Sequence, residues 1–340
     1  MRKIILFFLA LLIISGILFY RNYHKEKILP VRQNDTQSEM NIVFGIDENF
    51  VMPASVTITS LLKNNPDRRI HIHLIGENLS KESQYKLKHL ISIFPQAKID
   101  FYETAVPDSF KNLLFFNRIS KATFLRFYLI KLLPKTVNKV LYLDADIIIT
   151  GSLSDFYDTN LDKAFVMGVA ENTDYHLTRL ANYHIKHYIN AGVLLLNLKA
   201  LRQQFNFEDL ISFIQDNTDN PAIKHADQDI INILWQDKML FAQDIYNVPR
   251  HYPFDKYGII LHYWGPDKPW NKHYKNMFTY WKQIPWKIYY GMYQNYMNQN
   301  NPWISSYYQT LLDIFPERLP AFYKRWVNEP ILSFVSRLIY

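Results

Sequence analysis

The sequence predicts an α/β protein built on a mostly parallel, mixed sheet with helices on both faces. Three observations carry that prediction. Apolar segments of strand length alternate with helix-length segments through the first half of the chain. The run Val140-Leu141-Tyr142-Leu143 is unbroken, as expected of a strand buried on both faces. Acids stand where strands end, at Asp47 and at Asp144 and Asp146, and sheets of this kind gather ligands at the carboxyl ends of their strands.

The first strand is expected over residues 41–46, ending in Asp47-Glu48-Asn49. A helix follows over 52–63, with Pro53 in its first turn, where a missing N–H breaks no bond. Residues 70–75 alternate as His-Ile-His-Leu-Ile after Ile70 and read as the second strand. Ser80 is placed to N-cap a helix running to residue 94. A third strand spans 97–102, and a helix around 121–133 leads into the strand at 140–143. That strand breaks at Asp144-Ala145-Asp146 and resumes as Ile147-Ile148-Ile149. The second half is less regular, with strands at 165–170, 188–196 and 259–263 and a helix at 228–234. There is no internal repeat.

Side chains two apart on a strand share a face, so Asp144 and Asp146 can converge on one ligand. Two carboxylates at such a place are costly unless their charge is compensated. A divalent cation is the natural candidate, and oxygen ligands alone favour Mg²⁺ or Mn²⁺. The competing reading is a strand-end turn with two solvated acids.

At 340 residues the chain can bury a full core, as one large domain or two small ones. Its net charge of +7 suits an anionic partner: phosphate, nucleic acid or acidic lipid. The absence of cysteine excludes disulfides and thiolate metal sites, and argues against an oxidising lumen. Residues 4–20 are almost uniformly apolar after Arg2 and Lys3, at the short limit for a transmembrane helix. The residues that follow, Arg21-Asn22-Tyr23-His24-Lys25, offer no small-x-small cleavage site. The expected organisation is therefore an uncleaved anchor (1–20), a polar linker (21–40), a main domain (41–273) and a tail (274–340). Basic residues are slightly richer after the span, which favours a single-pass membrane protein with its main domain in the cytoplasm. Residues 271–340 hold eight Lys or Arg against three Asp or Glu, and 18 aromatic residues. Trp281, Trp286, Tyr289, Tyr290 and Tyr293 interleave with Lys282 and Lys287, a pattern suited to a membrane interface. A helical extension packed on the domain is the alternative. No nucleic-acid motif accompanies the charge.

Five segments then stand in order. They are Asn41-Ile42-Val43-Phe44-Gly45-Ile46-Asp47-Glu48-Asn49, Asp144-Ala145-Asp146, Asn190-Ala191-Gly192-Val193 and His225-Ala226-Asp227-Gln228-Asp229, followed by a segment from Ile260 through His262 and Gly265 to Lys268 and Trp270. In that order, over residues 41–273, they resemble glycosyltransferase family 8, and in particular its bacterial branch that adds galactose or glucose to lipopolysaccharide. The resemblance implies a GT-A nucleotide-sugar-binding fold and a UDP-galactose or UDP-glucose donor. It also implies a glycan or glycolipid acceptor, and Asp144, Asp146 and His262 as metal ligands. Mixed oxygen and nitrogen donors suit Mn²⁺, with Mg²⁺ second. The implied donor-binding set is Asp47, Asn49, Arg126, Asp144, Ala145, Asp146, Gly265 and Lys268. Asp47 and Asn49 would belong to the uridine and ribose pocket, Arg126 to the sugar and phosphates, and Lys268 to the diphosphate.

Asn190, Asp227 and Gln228 match the family's sugar-lining catalytic positions. The family retains the anomeric configuration. Gln228 is an amide and a poor nucleophile, so front-side displacement is expected rather than a covalent intermediate. Residues 172–187 are expected to form the acceptor loop. Each assignment has a plainer rival. His262 could be a buried histidine bonded to backbone, Lys268 a surface lysine, Arg126 a helix-surface ion pair, and Asp47 with Asn49 a strand-end turn. Asp227 and Asp229 could be acids favoured by a helix dipole. The expected function is a retaining, metal-dependent hexosyltransferase at the bacterial inner membrane. The alternatives are a non-catalytic carbohydrate-binding protein on a transferase fold and a metal-using phosphohydrolase.

Overall fold

The structure is a computed structural model that describes residues 39–114, 120–249, 258–265, 268–270 and 283–298. The expected anchor at 4–20 and most of the expected linker lie outside the described residues. Among the described residues no helix is long and apolar enough to cross a membrane.

A seven-stranded sheet forms the centre. Its strands are β1 (Met40–Asp47), β2 (Ile70–Glu77), β3 (Ala97–Glu103), β4 (Lys139–Leu143), β6 (Val166–Val169), β7 (Val193–Asn197) and β8 (Met239–Ala242), in the order β3-β2-β1-β4-β7-β6-β8. The first four run parallel, β7 lies antiparallel between β4 and β6, and β8 is parallel to β6. The expected mostly parallel mixed sheet is thus present. Met40, assigned to the linker, is already in β1.

The continuous apolar strands are explained by two cores. Leu141 and Leu143 enter one core with Ile42, Phe44 and Ile46. Val140 and Tyr142 enter the other with Val43 and Leu194. Alternate side chains of β4 feed opposite faces, so every residue must be apolar. Each fully buried aliphatic side chain contributes about 1.5–3 kcal/mol. One core is roofed by the helices Val51–Asn64 and Lys81–Ser92, the latter N-capped by Ser80, whose Oγ accepts from Ser83 N–H. The other is roofed by Leu125–Leu132 and Ala226–Trp235.

The run after the Asp pair does not continue β4. β5 (Ile147–Ile149) belongs to a second sheet with β9 (Val248–Pro249) and β10 (Ile260–His262), in the order β5-β10-β9. Asp144-Ala145-Asp146 is therefore the corner where the two sheets part. A polar stripe on helix Val51–Asn64 holds that corner. Thr57 Oγ1 lies 2.8 Å from the carbonyl oxygens of both Ala145 and Ile147. Ser60 Oγ accepts from Ile149 N–H at 3.0 Å.

The expected strand over 188–196 is shorter than its apolar content suggests, because β7 begins at Val193. Of the N–H groups before it, only that of Asn190 reaches a strand, at the Val169 carbonyl of β6 (3.0 Å), and four others are taken by side chains. Tyr188 donates to Asn172, Ile189 to Asn232, Ala191 to Gln228 and Gly192 to Asn190. The described part of the tail is the helix Ile284–Met297. Trp286, Tyr289 and Tyr293, read as membrane-interface aromatics, are buried against the domain instead. Asn64 Nδ2 donates to Tyr289 OH at 2.6 Å, and Phe94 meets Tyr296 edge-on at 5.4 Å. Trp281 and Lys282 lie outside the described residues.

Candidate active site

The carboxyl ends of β1 and β4, the turn before β7, the start of helix Ala226–Trp235 and the end of β10 meet around one cleft of about 450 Å³. Its lining contains every site residue inferred from the sequence except Asn49. Asn49 is exposed, and its N–H donates to Asp47 Oδ1 at 2.9 Å. Asp47 thus caps the short turn after β1, while its Oδ2 accepts from Ser120 Oγ at 2.5 Å.

Asp144, Asp146 and His262 converge. His262 Nε2 lies 3.2 Å from Asp146 Oδ1 and 3.7 Å from Asp144 Oδ2. Oxygen and nitrogen ligands at about 2.1–2.2 Å from an octahedral ion stand about 3 Å apart, so this spacing fits a small divalent cation. His262 is placed by β10 pairing with β5, which sets it opposite Ile147. Gly192 packs against the imidazole so closely that a Cβ there would fall 2.2 Å from His262 Cε1. Lys268 Nζ donates to Asp146 Oδ2 and, at 3.1 Å, to the Tyr263 carbonyl. Burial would raise the Asp146 carboxyl, but Lys268 and His262 outweigh it and hold the group well below its ordinary value. Gly265 adopts φ +91°, a conformation that favours glycine, between His262 and Lys268.

Arg126 is a buried hub rather than a helix-surface residue. Its NH2 reaches Asp144 Oδ1 at 2.8 Å and its Nε reaches Asp227 Oδ2 at 2.9 Å. NH1 donates to the Ala191 carbonyl at 2.5 Å, and the guanidinium lies 4.3 Å from the Tyr142 ring centre. Asp227 also accepts from Thr123 Oγ1 at 2.5 Å. Its pKa is pushed up to about 6 by burial, which Arg126 only partly offsets.

Gln228 is tied down at both ends of its amide. Oε1 accepts from Ala191 N–H at 3.0 Å, and Nε2 donates to Tyr188 OH at 3.1 Å. Asn190 is buried beside it. Asp229 does not face the cleft. It is held by Arg179 at 2.7 and 2.8 Å and accepts from the N–H groups of Lys224 and His225, tying the helix N-terminus to the preceding turn.

Among the lining residues, Glu171 and Ser120 stand in none of the segments singled out from the sequence. Glu171 accepts from Asn190 Nδ2 at 3.0 Å and lies 3.4 Å from Gln228 Nε2. Burial would raise its pKa, but hydrogen bonds from His176 and Asn190 hold it below the usual range. Ser120 and Trp264 line the cleft as well. An isolated Glu after a short strand has no motif to mark it. Its significance comes from side chains 19 and 57 positions away.

A second group, His71, His73 and Asp100, also brings potential ligand atoms within 4.8 Å. Its imidazoles stack 3.9 Å apart at 35°. Both His73 nitrogens are already engaged, at 3.0 Å by Tyr102 OH and at 2.9 Å by Asn41 Oδ1. The Asp144 group is the better metal centre.

The glycosyl transferase family 8 model matches residues 41–273. A lipopolysaccharide 1,3-galactosyltransferase of Salmonella typhimurium is 26% identical over 273 residues, covering 74% of this chain and 80% of that protein. The lipopolysaccharide glucosyltransferase WaaO of Escherichia coli is 27% identical over 248 residues, covering 68% and 73%. Among solved structures, the galactosyltransferase LgtC in complex with donor and acceptor sugar analogs superposes with a TM-score of 0.64 at 23% identity, covering 74% of this chain and 95% of that one. At that identity the likeness speaks for the fold, which is GT-A-like.

Proposed function

The chain belongs to glycosyltransferase family 8, and from that premise we propose that it moves galactose or glucose from a UDP-sugar to a glycan acceptor of lipopolysaccharide type, with retention at the anomeric carbon. The observation that carries this reading is the convergence of Asp144, Asp146 and His262 in the same cleft as Lys268, Asp227 and Gln228. The activities of those relatives support the hexose and the acceptor class.

Asp144, Asp146 and His262 would hold the cation, for which the mixed donors suit Mn²⁺. When bound, that ion neutralises charge on the departing diphosphate. The chain's own residues do the rest. Lys268, now on Asp146, would add a second positive charge beside a diphosphate bound at the cation that those carboxylates hold. Asp227, fixed by Arg126 and Thr123, offers a carboxylate to sugar hydroxyls. The Gln228 oxygen is occupied by the Ala191 N–H, which supports front-side displacement over attack by that amide.

The test is a panel of UDP-sugars with Mn²⁺ and glycan acceptors, followed by analysis of the product's linkage and anomeric configuration. Transfer from UDP-galactose or UDP-glucose with retention is expected, and Asp144→Asn or Asp146→Asn should abolish it in a folded protein. Undiminished transfer in EDTA would remove the metal from the reading. Sugar binding without any transfer or UDP-sugar hydrolysis would favour the non-catalytic alternative.

A further inference from the structure

Asn247 is 2% exposed and stands just ahead of β9, behind the cleft rather than in its lining. Its carboxamide lies between Asn190 and His262, and one backbone group determines the direction of every hydrogen bond in that chain. The Gly192 N–H donates to Asn190 Oδ1 at 2.9 Å, which fixes the oxygen end of the Asn190 amide. The Nδ2 end of Asn190 then donates to Glu171 Oε2 at 3.0 Å. Asn190 Oδ1 also receives Asn247 Nδ2 at 2.8 Å. The Asn247 oxygen is left facing His262 Nδ1 at 2.8 Å. An amide oxygen accepts and cannot donate, so Nδ1 carries the proton.

The other ring nitrogen, Nε2, faces Asp146 and Asp144. In a neutral imidazole those two carboxylates would draw the proton to Nε2, which would then make an ordinary hydrogen bond and offer no lone pair. Asn247 competes for that proton from the opposite side of the ring. Each donor in the chain points towards the Glu171 carboxylate, and aligned dipoles of this kind reinforce one another. We infer that Asn247 is a positioning residue that locks His262 in its Nδ1–H tautomer, so that the Nε2 lone pair is presented to a divalent cation. The inference rests on the metal reading proposed above. It adds a residue that no motif marks and that does not line the cleft.

The experiment is calorimetric titration of the full-length protein with Mn²⁺ alone, for wild type, Asn247→Ala and Asn247→Asp, alongside metal-free thermal melting. Alanine removes the acceptor, and loss of such a supporting contact weakens metal binding by about 10- to 100-fold. Aspartate keeps an acceptor for Nδ1–H but cannot donate to Asn190, so it should recover most of that loss. A purely structural role predicts the reverse, with both variants weakened together, because both lose the bond to Asn190. Asn247→Ala with wild-type Mn²⁺ affinity, or Asn247→Asp no better than alanine, overturns the inference. If the alanine variant does not fold, the aspartate variant decides alone, and near-wild-type affinity supports the inference while its loss overturns it. A wild-type protein that binds no Mn²⁺ overturns the metal reading and this inference with it. Binding by wild type that alanine leaves unchanged overturns this inference alone.

Discussion

Gly192→Ala probes the site where its tolerance is smallest. The added Cβ would lie 2.2 Å from His262 Cε1, 2.8 Å from Asp144 Oδ2 and 2.9 Å from His262 Nδ1. Non-bonded carbons keep about 3.5–4.0 Å, so the imidazole would have to retreat by more than ~1 Å. Ligand distances at a metal tolerate only about 0.2 Å. The backbone cannot yield in its place. The Gly192 carbonyl accepts from Asp144 N–H at 2.8 Å, and its N–H is held by Asn190. Nor can the ring withdraw freely, since His262 is 2% exposed and meets Trp264 edge-on at 5.0 Å. Overpacking of this kind costs about 1–3 kcal/mol of stability. Mn²⁺ affinity should fall by about 10-fold or more, as when a ligand's support is lost, and sugar transfer should fall with it. Denaturant unfolding and Mn²⁺ calorimetry measure the two effects separately. Gly168→Ala is the control, because its Cβ would meet the side-chain ends Ile189 Cδ1 at 3.0 Å and Leu194 Cδ2 at 3.3 Å, away from the metal. It should lower stability and leave Mn²⁺ binding unchanged. A Gly192→Ala protein with wild-type Mn²⁺ affinity and transfer rate would refute the packing argument.

Two further outcomes are expected. Lys268→Ala should lower turnover by on the order of 10²-fold with a smaller change in KM, because charge on the leaving diphosphate grows towards the transition state. Mn²⁺ binding should not weaken, since the ammonium shares Asp146 with the cation. A pure rise in KM at unchanged kcat would contradict that role. The pH dependence of stability should show Asp227 directly. Its pKa rises from an ordinary 3.8 to about 6 on folding, so between those values the native state binds more protons than the unfolded one. Stability therefore falls as pH rises through that window, by about 3 kcal/mol at about 1.4 kcal/mol per pH unit. Asp227→Asn lacks the titration, so the stability difference between the two proteins should shift in favour of the variant by that order across pH 4–6.5. A flat difference would mean that Asp227 has its ordinary pKa in the folded state.

The strands of the first half could be read from sequence because each is either a doubly buried apolar run, as at Val140–Leu143, or ends in acids, as at Asp47. Their limits in the structure differ from those expected by a few residues at most. The second half resisted because its local pattern is overridden from a distance. Residues 188–192 look like a strand, yet the N–H groups of Tyr188, Ile189 and Ala191 are claimed by the side chains of Asn172, Asn232 and Gln228, which lie 16 to 43 positions away. The stripe Thr57 and Ser60 reads as an ordinary helix. Its purpose shows only when the Asp144 corner is seen to rest on it. The candidate metal triad was legible because its residues sit in recognisable motifs. Its support, Asn247 and Glu171, was not, because an isolated Asn or Glu gains meaning from its partners alone. Asn49 shows the converse: it stands in a matching motif but is exposed and does not line the cleft.

On the reading proposed above, the charge of the cleft gives the triad a reason to hold a cation beside an anionic donor. The protein as a whole is basic, at +7. Yet the carboxyl groups of Asp47, Asp144, Asp146, Glu171 and Asp227 line the cleft against two fixed cations, Arg126 and Lys268. Both cations are already engaged, Arg126 by Asp144 and Asp227 and Lys268 by Asp146. Buried or half-buried pairs of this kind are tolerated because each charge has a partner, not because they add much stability. A nucleotide diphosphate entering such a cleft alone would meet like charge. A divalent ion on Asp144, Asp146 and His262 would reverse the sign at the point where the diphosphate must sit, and would also release the Lys268 ammonium from part of its hold on Asp146. Donor affinity and metal affinity would then be linked by the same carboxylates. Gly192 at the ring face and Asn247 behind it would then bear on both.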